Sequence, residues 1–109
     1  MASTVKVMRW LQSWLPTEAD LRRSMLAQGL QPYRWSNGPG DTYPPHSHPY
    51  HKVILVVEGS ITFGLPEEGE HLQLIPGDRL DLPAGIMHDA RVGAHGVICL
   101  EAHREGESS

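Results

Sequence analysis

The clearest indication of the fold comes from residues 38–59, GPGDTYPPHSHPYHKVILVVEG. Three histidines, His46, His48 and His51, precede an apolar run of Val, Ile and Leu, and Lys52 stands where that run begins. A run of β-branched residues bounded by prolines and glycines is typical of a buried β-strand. The stretch therefore predicts a strand whose beginning carries a cluster of imidazoles.

Alternation along this strand predicts which of the side chains converge. Successive side chains of a strand point to opposite faces, so His46 and His48 are expected to share a face with Lys52 and Ile54. Because Ile54 is apolar, we expect that face to be the interior of a barrel. His51 points the other way and is expected to be exposed, unless the register slips by one residue and exchanges it with Lys52.

Short runs of β-type sequence dominate the chain from residue 32 onward. They are separated by glycine and proline turns about every 8–12 residues, which is typical of an antiparallel sandwich or barrel. The predicted strands are PYRWSN, KVILVVE, SITFGL, HLQLI, RLDLP, MHDARV and GVICLEAH, with Gly59 as the turn between the second and the third. We therefore predict an all-β barrel over residues 32–103, followed by a disordered polar tail over residues 104–109.

The N-terminal segment, residues 1–31, is predicted to contain one short helix within residues 16–30. Thr17 suits the N-cap, Asp20 follows three residues later as in a capping box, and Gly29 can end the helix. Its apolar stripe is expected to be Leu21, Met25 and Leu26. The Trp-rich residues 5–15 match both a helical and a strand-like spacing, and the sequence does not decide between them.

A third histidine is available for the cluster. His88 follows the turn sequence PAG and opens a predicted strand of its own, so its ring can reach the same interior as His46 and His48. Neutral imidazole is a common ligand of zinc, iron and other transition metals. Three imidazoles suffice for a catalytic metal site that keeps open positions.

Two motifs carry a resemblance to a known family. Residues 40–59 run Gly, five residues, His-x-His, and then, from Lys52, six intervening residues to Gly59. Residues 77–88 run Gly, five residues, Pro-Ala-Gly, two residues, His. In spacing and order this resembles the two motifs of the cupin superfamily, small double-stranded β-helix barrels of jelly-roll type. The resemblance implies one divalent transition metal, with Zn, Fe, Mn and Ni as candidates. The ligands that it implies are His46, His48 and His88.

The sequence departs from the cupin pattern at two positions. Lys52 stands where cupins usually carry a glutamate ligand, and Val92 where their second motif usually ends in asparagine. An ammonium about 5 Å from a divalent ion would be repelled by roughly 7 kcal/mol at an effective dielectric constant of about 20. Three interpretations stay open: Lys52 is neutral and serves as an acid/base residue near the open positions, it turns toward a carboxylate such as Glu101, or the site holds no metal.

Composition limits the class of protein and its partners. The chain has 109 residues, a net charge of −4 and one cysteine, Cys99. This size indicates a single domain, and the negative charge gives no reason to expect binding to nucleic acid. Neither a signal peptide nor a membrane span is recognisable, so we expect a cytoplasmic protein. A homodimer is expected because a barrel this small gains burial when its apolar N-terminal segment pairs with a second copy.

Two classes of function fit these features. One is a metal-dependent enzyme, of dioxygenase or lyase type, that acts on a small organic molecule. The other is a non-catalytic barrel that binds a small ligand with or without a metal.

Overall fold

In the computed structural model of the protein, residues 4–104 are described and contain seven β-strands and one α-helix. In chain order the elements are β1 (Lys6–Met8), α1 (Glu18–Ala27), β2 (Tyr33–Asn37), β3 (Thr42–His46), β4 (His51–Leu65), β5 (Glu70–Leu74), β6 (Arg79–Leu82) and β7 (His88–Arg104). Strands predominate and the helix is short, so the predicted all-β class with one N-terminal helix is confirmed.

The two long strands, β4 and β7, organise the barrel. The first half of β4 pairs with β6 and its second half pairs with β5, while β7 runs antiparallel to both halves. The second half of β7 pairs in turn with β2, and its first half pairs with β3. Each long strand therefore belongs to two sheet halves, which is the arrangement of the expected double-stranded β-helix.

The expected turn at Gly59 is wrong in detail, because β4 continues through this residue as one strand. Its pairing with β7 shifts register between Val56 and Glu58 and again between Gly59 and Ile61. Gly59 has a φ of 77°, and a Cβ atom there would lie 1.9 Å from the carbonyl oxygen of Gly96 on β7. The two glycines let the long strands cross closely and bend at this corner, so what looked like a turn in the sequence is a bulge.

The N-terminal helix forms as predicted, with one exception on its apolar face. The hydroxyl of Thr17 accepts a hydrogen bond from the backbone N–H of Asp20, and Gly29 follows the helix with a φ of 79°. Leu21 and Met25 are buried. Leu26 is 50% exposed, so its assignment to the buried stripe is wrong.

Residues 5–15, which the sequence left undecided, contain the short strand β1. It pairs antiparallel with β6, so the N-terminal segment extends the sheet of the barrel. The side chain of Asp78 fixes this segment, because it accepts hydrogen bonds from the guanidinium of Arg9 and from the backbone N–H of Trp10.

The far end of the chain is described only in part. Arg104, the first residue of the predicted disordered tail, is the last residue of β7; the rest of that tail, residues 105–109, lies outside the described residues. Within residues 4–104, no helix has the length and apolar character needed to cross a membrane.

Two apolar clusters lie on opposite faces of the β4–β7 pair. One fills part of the barrel interior and includes Ile54, Ile61, Phe63 and Val92. The other packs helix α1 against the outside and includes Leu21, Met25, Val53, Leu55 and Leu100. Ile54 thus faces the interior, as the alternation from His48 predicted.

Candidate metal centre

The three histidines that the sequence singled out come together at one end of the barrel. His46 ends β3 and lies directly opposite His88, which begins β7, in the antiparallel register of these two strands. His48 lies two residues beyond the end of β3. Strand pairing therefore brings together two residues that are far apart in the sequence, and the His-x-His spacing adds the third.

The three rings offer nitrogen atoms that all lie within 4.8 Å of one another. The ring centroids of His46 and His88 are 4.3 Å apart, and those of His46 and His48 are 4.8 Å apart. An ion about 2.1 Å from each nitrogen needs nitrogen separations of no more than about 4.2 Å. A small inward movement of the rings would meet that requirement.

Two of the histidines are oriented by backbone carbonyl groups. Nδ1 of His46 lies 2.7 Å from the carbonyl oxygen of Pro44, and Nδ1 of His88 lies 2.9 Å from the carbonyl oxygen of Ile86. A carbonyl can only accept, so each Nδ1 carries a proton, and in the neutral ring Nε2 keeps its lone pair. This is the tautomer and the orientation that metal-ligating histidines take when the other nitrogen donates to a carbonyl.

His48 is held by side chains instead. Its Nε2 lies 3.2 Å from Nζ of Lys52, and its Nδ1 lies 3.2 Å from the hydroxyl of Tyr50. The Lys52 ammonium can only donate, so Nε2 of His48 accepts and its Nδ1 donates to Tyr50. His48 therefore has the same tautomer as the other two histidines, but its lone pair already has a partner.

The electrostatic surroundings favour the neutral form of His48 and of His88. Burial and the charge of Lys52 lower the pKa of His48 from 6.5 to about 4. Burial also lowers the pKa of His88, against the opposing effect of its bond to Ile86. A neutral imidazole is the form that binds metal.

Lys52 lies beside the histidines, on the face that alternation predicted, and is paired with a carboxylate. Its Nζ is 3.5 Å from Oε2 of Glu101, and the two side chains are only 12% and 6% exposed. The contact with Glu101 is the one that the second interpretation of Lys52 predicted, but Nζ lies closer to Nε2 of His48, at 3.2 Å.

Glu101 is the site residue that sequence reasoning did not identify as central. It lies directly opposite Ile54 on β4 and Tyr33 on β2, and it accepts hydrogen bonds from Tyr33, Trp35 and His103. Burial acts to raise the pKa of Glu101, but these donors and the charge of Lys52 outweigh it, and the net shift is downward from 4.5. Glu101 is therefore held as a buried carboxylate.

The histidines, Lys52 and Glu101 line one cavity of about 300 Å³ in the barrel. The remaining walls are aromatic or apolar and come from Tyr33, Trp35, Tyr43, Ile54, Ile61, Phe63 and Ala90. A cavity of this volume lies at the lower end of the range found for small-molecule sites. Apolar walls with a few convergent polar groups are the usual composition of such sites.

His51 takes no part in this group, in agreement with its predicted direction. It is half-buried, so the expectation that it is exposed is wrong. Its Nε2 is shielded from solvent and has no hydrogen-bond partner among residues 4–104. The reason is that the outward face at the start of β4 is partly covered, as the burial of Val53 on the same face shows.

Comparison with known proteins agrees with the fold and the site. The family model for AraC-like ligand-binding domains matches residues 30–98, which contain all three histidines and Lys52. The chain belongs to the AraC-like ligand-binding domain family. Among solved structures, a protein with a double-stranded β-helix domain from Klebsiella pneumoniae is 22% identical with a TM-score of 0.60, covering 72% of this chain and 69% of that one. This likeness shows the cupin fold.

Relatives of this AraC-like domain include proteins that are named as enzymes. Quercetin 2,3-dioxygenase from Bacillus subtilis is 41% identical over 61 residues, which are 55% of this chain and 18% of that enzyme. The DMSP lyase DddQ from Ruegeria pomeroyi is 26% identical with a TM-score of 0.63, covering 73% of this chain and 40% of that one. The chain thus spans less than half the length of either relative.

Proposed function

We propose that this protein is a metal-dependent enzyme that binds one divalent transition metal through His46, His48 and His88 and acts on a small organic molecule. The observation that carries the proposal is the convergence of three imidazoles, two of them oriented by backbone carbonyl groups that lie beside Nδ1. The donor set fits a transition metal, since three imidazoles leave open coordination positions.

A metal held there would polarise an oxygen of the bound molecule as a Lewis acid. The chain's own residues supply the rest of the site. Aromatic and apolar side chains such as Trp35 and Phe63 would surround the molecule, orient it and exclude water. Lys52 and Glu101 lie in the wall of the same cavity and supply its polar groups beside the histidines.

The named relatives support an enzyme of dioxygenase or lyase type, because one is a dioxygenase and another a lyase. The type of reaction depends on the substrate. The cavity volume of about 300 Å³ limits that substrate to a small molecule. The predicted role of Lys52 as an acid/base residue belongs to this proposal and stays a prediction.

A second candidate is a non-catalytic ligand-binding barrel. It is favoured by two observations: the matching family is a ligand-binding domain, and the lone pair of His48 is engaged by Lys52. In this alternative the aromatic cavity binds a small molecule without changing it.

An activity assay separates the two candidate functions. Protein loaded with iron or with zinc is assayed with a panel of diketones, thiols, phenols and sulfonium compounds. We expect turnover of one class by a metal-loaded form and loss of that turnover in His46→Ala. Binding of a panel compound without turnover in any metal-loaded form would instead support the ligand-binding barrel.

The expected homodimer also stays a prediction. Several large apolar residues of the N-terminal segment are solvent-exposed, namely Met8, Leu11, Trp14 and Leu15. These four residues lie close together in the sequence, and large exposed apolar patches are typical of protein interfaces. Sedimentation velocity at micromolar concentration should give a dimer, with Leu11→Glu as the disrupting variant; a monomer for the unaltered protein would contradict it.

A further inference from the structure

The ammonium of Lys52 lies between two acceptors, the imidazole of His48 and the carboxylate of Glu101. Its Nζ is 3.2 Å from Nε2 of His48 and 3.5 Å from Oε2 of Glu101. An ammonium has three N–H donors, so one lysine can serve both acceptors at once.

Metal binding cannot leave this arrangement unchanged. An imidazole nitrogen has a single lone pair, and in His48 that pair accepts a hydrogen bond from Lys52. A metal ion and an ammonium cannot use the same lone pair, and their positive charges repel each other. If His48 is a ligand, Lys52 must leave it when the metal arrives.

Glu101 provides the place to which Lys52 can move. Its carboxylate is buried and already accepts hydrogen bonds from Tyr33, Trp35 and His103. Two carboxylate oxygens offer about four lone-pair sites, so one further donor can be accommodated. A short rotation of the lysine side chain would exchange the contact with His48 for a closer one with Glu101.

We propose that Glu101 is a positioning residue of the metal site, which draws the Lys52 ammonium away from His48 and thereby frees the third ligand. Glu101 acts through Lys52 and does not itself contact the metal, since the group of converging donor atoms contains only the three histidines among the described residues. The inference rests on the proposed function and adds a device that explains how a lysine is tolerated beside the site.

A double-mutant cycle with zinc as the probe tests this. Zinc affinity is measured by competition with a chelator for the unaltered protein, Glu101→Gln, Lys52→Met and the double variant. We expect Glu101→Gln to weaken zinc binding by about 10-fold or more, as removal of a group supporting a ligand usually does. Lys52→Met should strengthen it, because the competitor for the His48 lone pair is gone.

The decisive comparison is the loss caused by Glu101→Gln in the two backgrounds. If Glu101 acts through Lys52, the loss is larger by more than about twofold when Lys52 is present than in Lys52→Met; losses that agree within about twofold, the usual error of additivity, would overturn the inference. Glu58→Gln, an exposed carboxylate of β4, is the matched control for removing one negative charge and should leave zinc affinity unchanged.

A crystal structure of the zinc-loaded unaltered protein provides a test that needs no variant to fold. It should show Nζ of Lys52 within hydrogen-bond distance of Glu101 and out of reach of His48. A lysine still bound to His48, a lysine directed into solvent, or a carboxylate of Glu101 on the zinc would each overturn the inference. Failure of the unaltered protein to bind any transition metal would contradict the proposed function itself, which keeps the two failures distinct.

Discussion

The two faces of the β4–β7 strand pair differ sharply in what they bury. The outer face packs against helix α1 through a cluster of apolar side chains that includes Met25, Val53 and Leu100. The inner face buries His88 and Glu101 around a cavity, together with Lys52. The same two strands thus carry a closely packed apolar layer on one side and a polar cavity on the other.

This difference indicates that the two faces have different roles. Apolar burial stabilises the fold with no polar group left to satisfy, whereas buried charges cost desolvation and are kept only when they are paired. We therefore expect changes on the outer face to affect stability and changes on the inner face to affect binding.

The largest expected effect comes from truncating the outer face. Met25→Ala removes a fully buried side chain and should lower the free energy of unfolding by about 2–5 kcal/mol, with zinc affinity unchanged. Urea denaturation measures the first quantity and chelator competition the second. Leu26→Ala, at an exposed position of the same helix, is the control and should change stability by less than about 0.5 kcal/mol. A loss of zinc binding in Met25→Ala would break the comparison.

On the inner face, His88→Ala should weaken zinc binding and leave the fold intact. Removal of one of three ligands should weaken zinc binding by more than about 100-fold, beyond the usual effect of losing a supporting group. The folded structure, monitored by circular dichroism, should persist. His95→Ala removes an exposed histidine of the same strand and should bind zinc as the unaltered protein does. Equal affinities for His88→Ala and His95→Ala would contradict the proposed ligand set.

A smaller effect is expected from the charge of Glu101. Its pKa in the folded protein is below the ordinary value of 4.5, so the stability that its ionised form contributes is complete above that value and is lost as the pH falls through the folded pKa. In metal-free protein, the difference in unfolding free energy between the unaltered chain and Glu101→Gln should therefore shrink as the pH is lowered from 6 to 3. A difference that stays constant over this range would mean that folding does not change the pKa of Glu101.

Much of the fold could be predicted from the sequence because its signals are local. The cap at Thr17, the apolar run after Lys52 and the alternation that directs Ile54 inward each depend on neighbouring residues only. The corner at Gly59 could not be predicted, because a glycine in a turn and a glycine in a bulge look alike until the close approach of Gly96 is known. The same holds for residues 5–15, where pairing with β6 selected the strand.

For the candidate site, sequence could identify the residues but not their pairing. His46, His48 and His88 follow from spacing and from the cupin resemblance. Glu101 was predicted only as a carboxylate toward which Lys52 could turn, because both faces of β7 are buried there; neighbouring Leu100 and Ala102 pack on the outer face. Only the register with β4 and β2 places Glu101 in the cavity beside Lys52.

Elemental analysis of the protein, purified without chelator, tests whether His46, His48 and His88 bind a transition metal. We expect about one transition-metal ion per chain for the unaltered protein, and none for a variant in which His46 and His88 are both replaced by alanine. Protein that contains no transition metal, and takes up none when iron, zinc, manganese and nickel are supplied in turn, would contradict it.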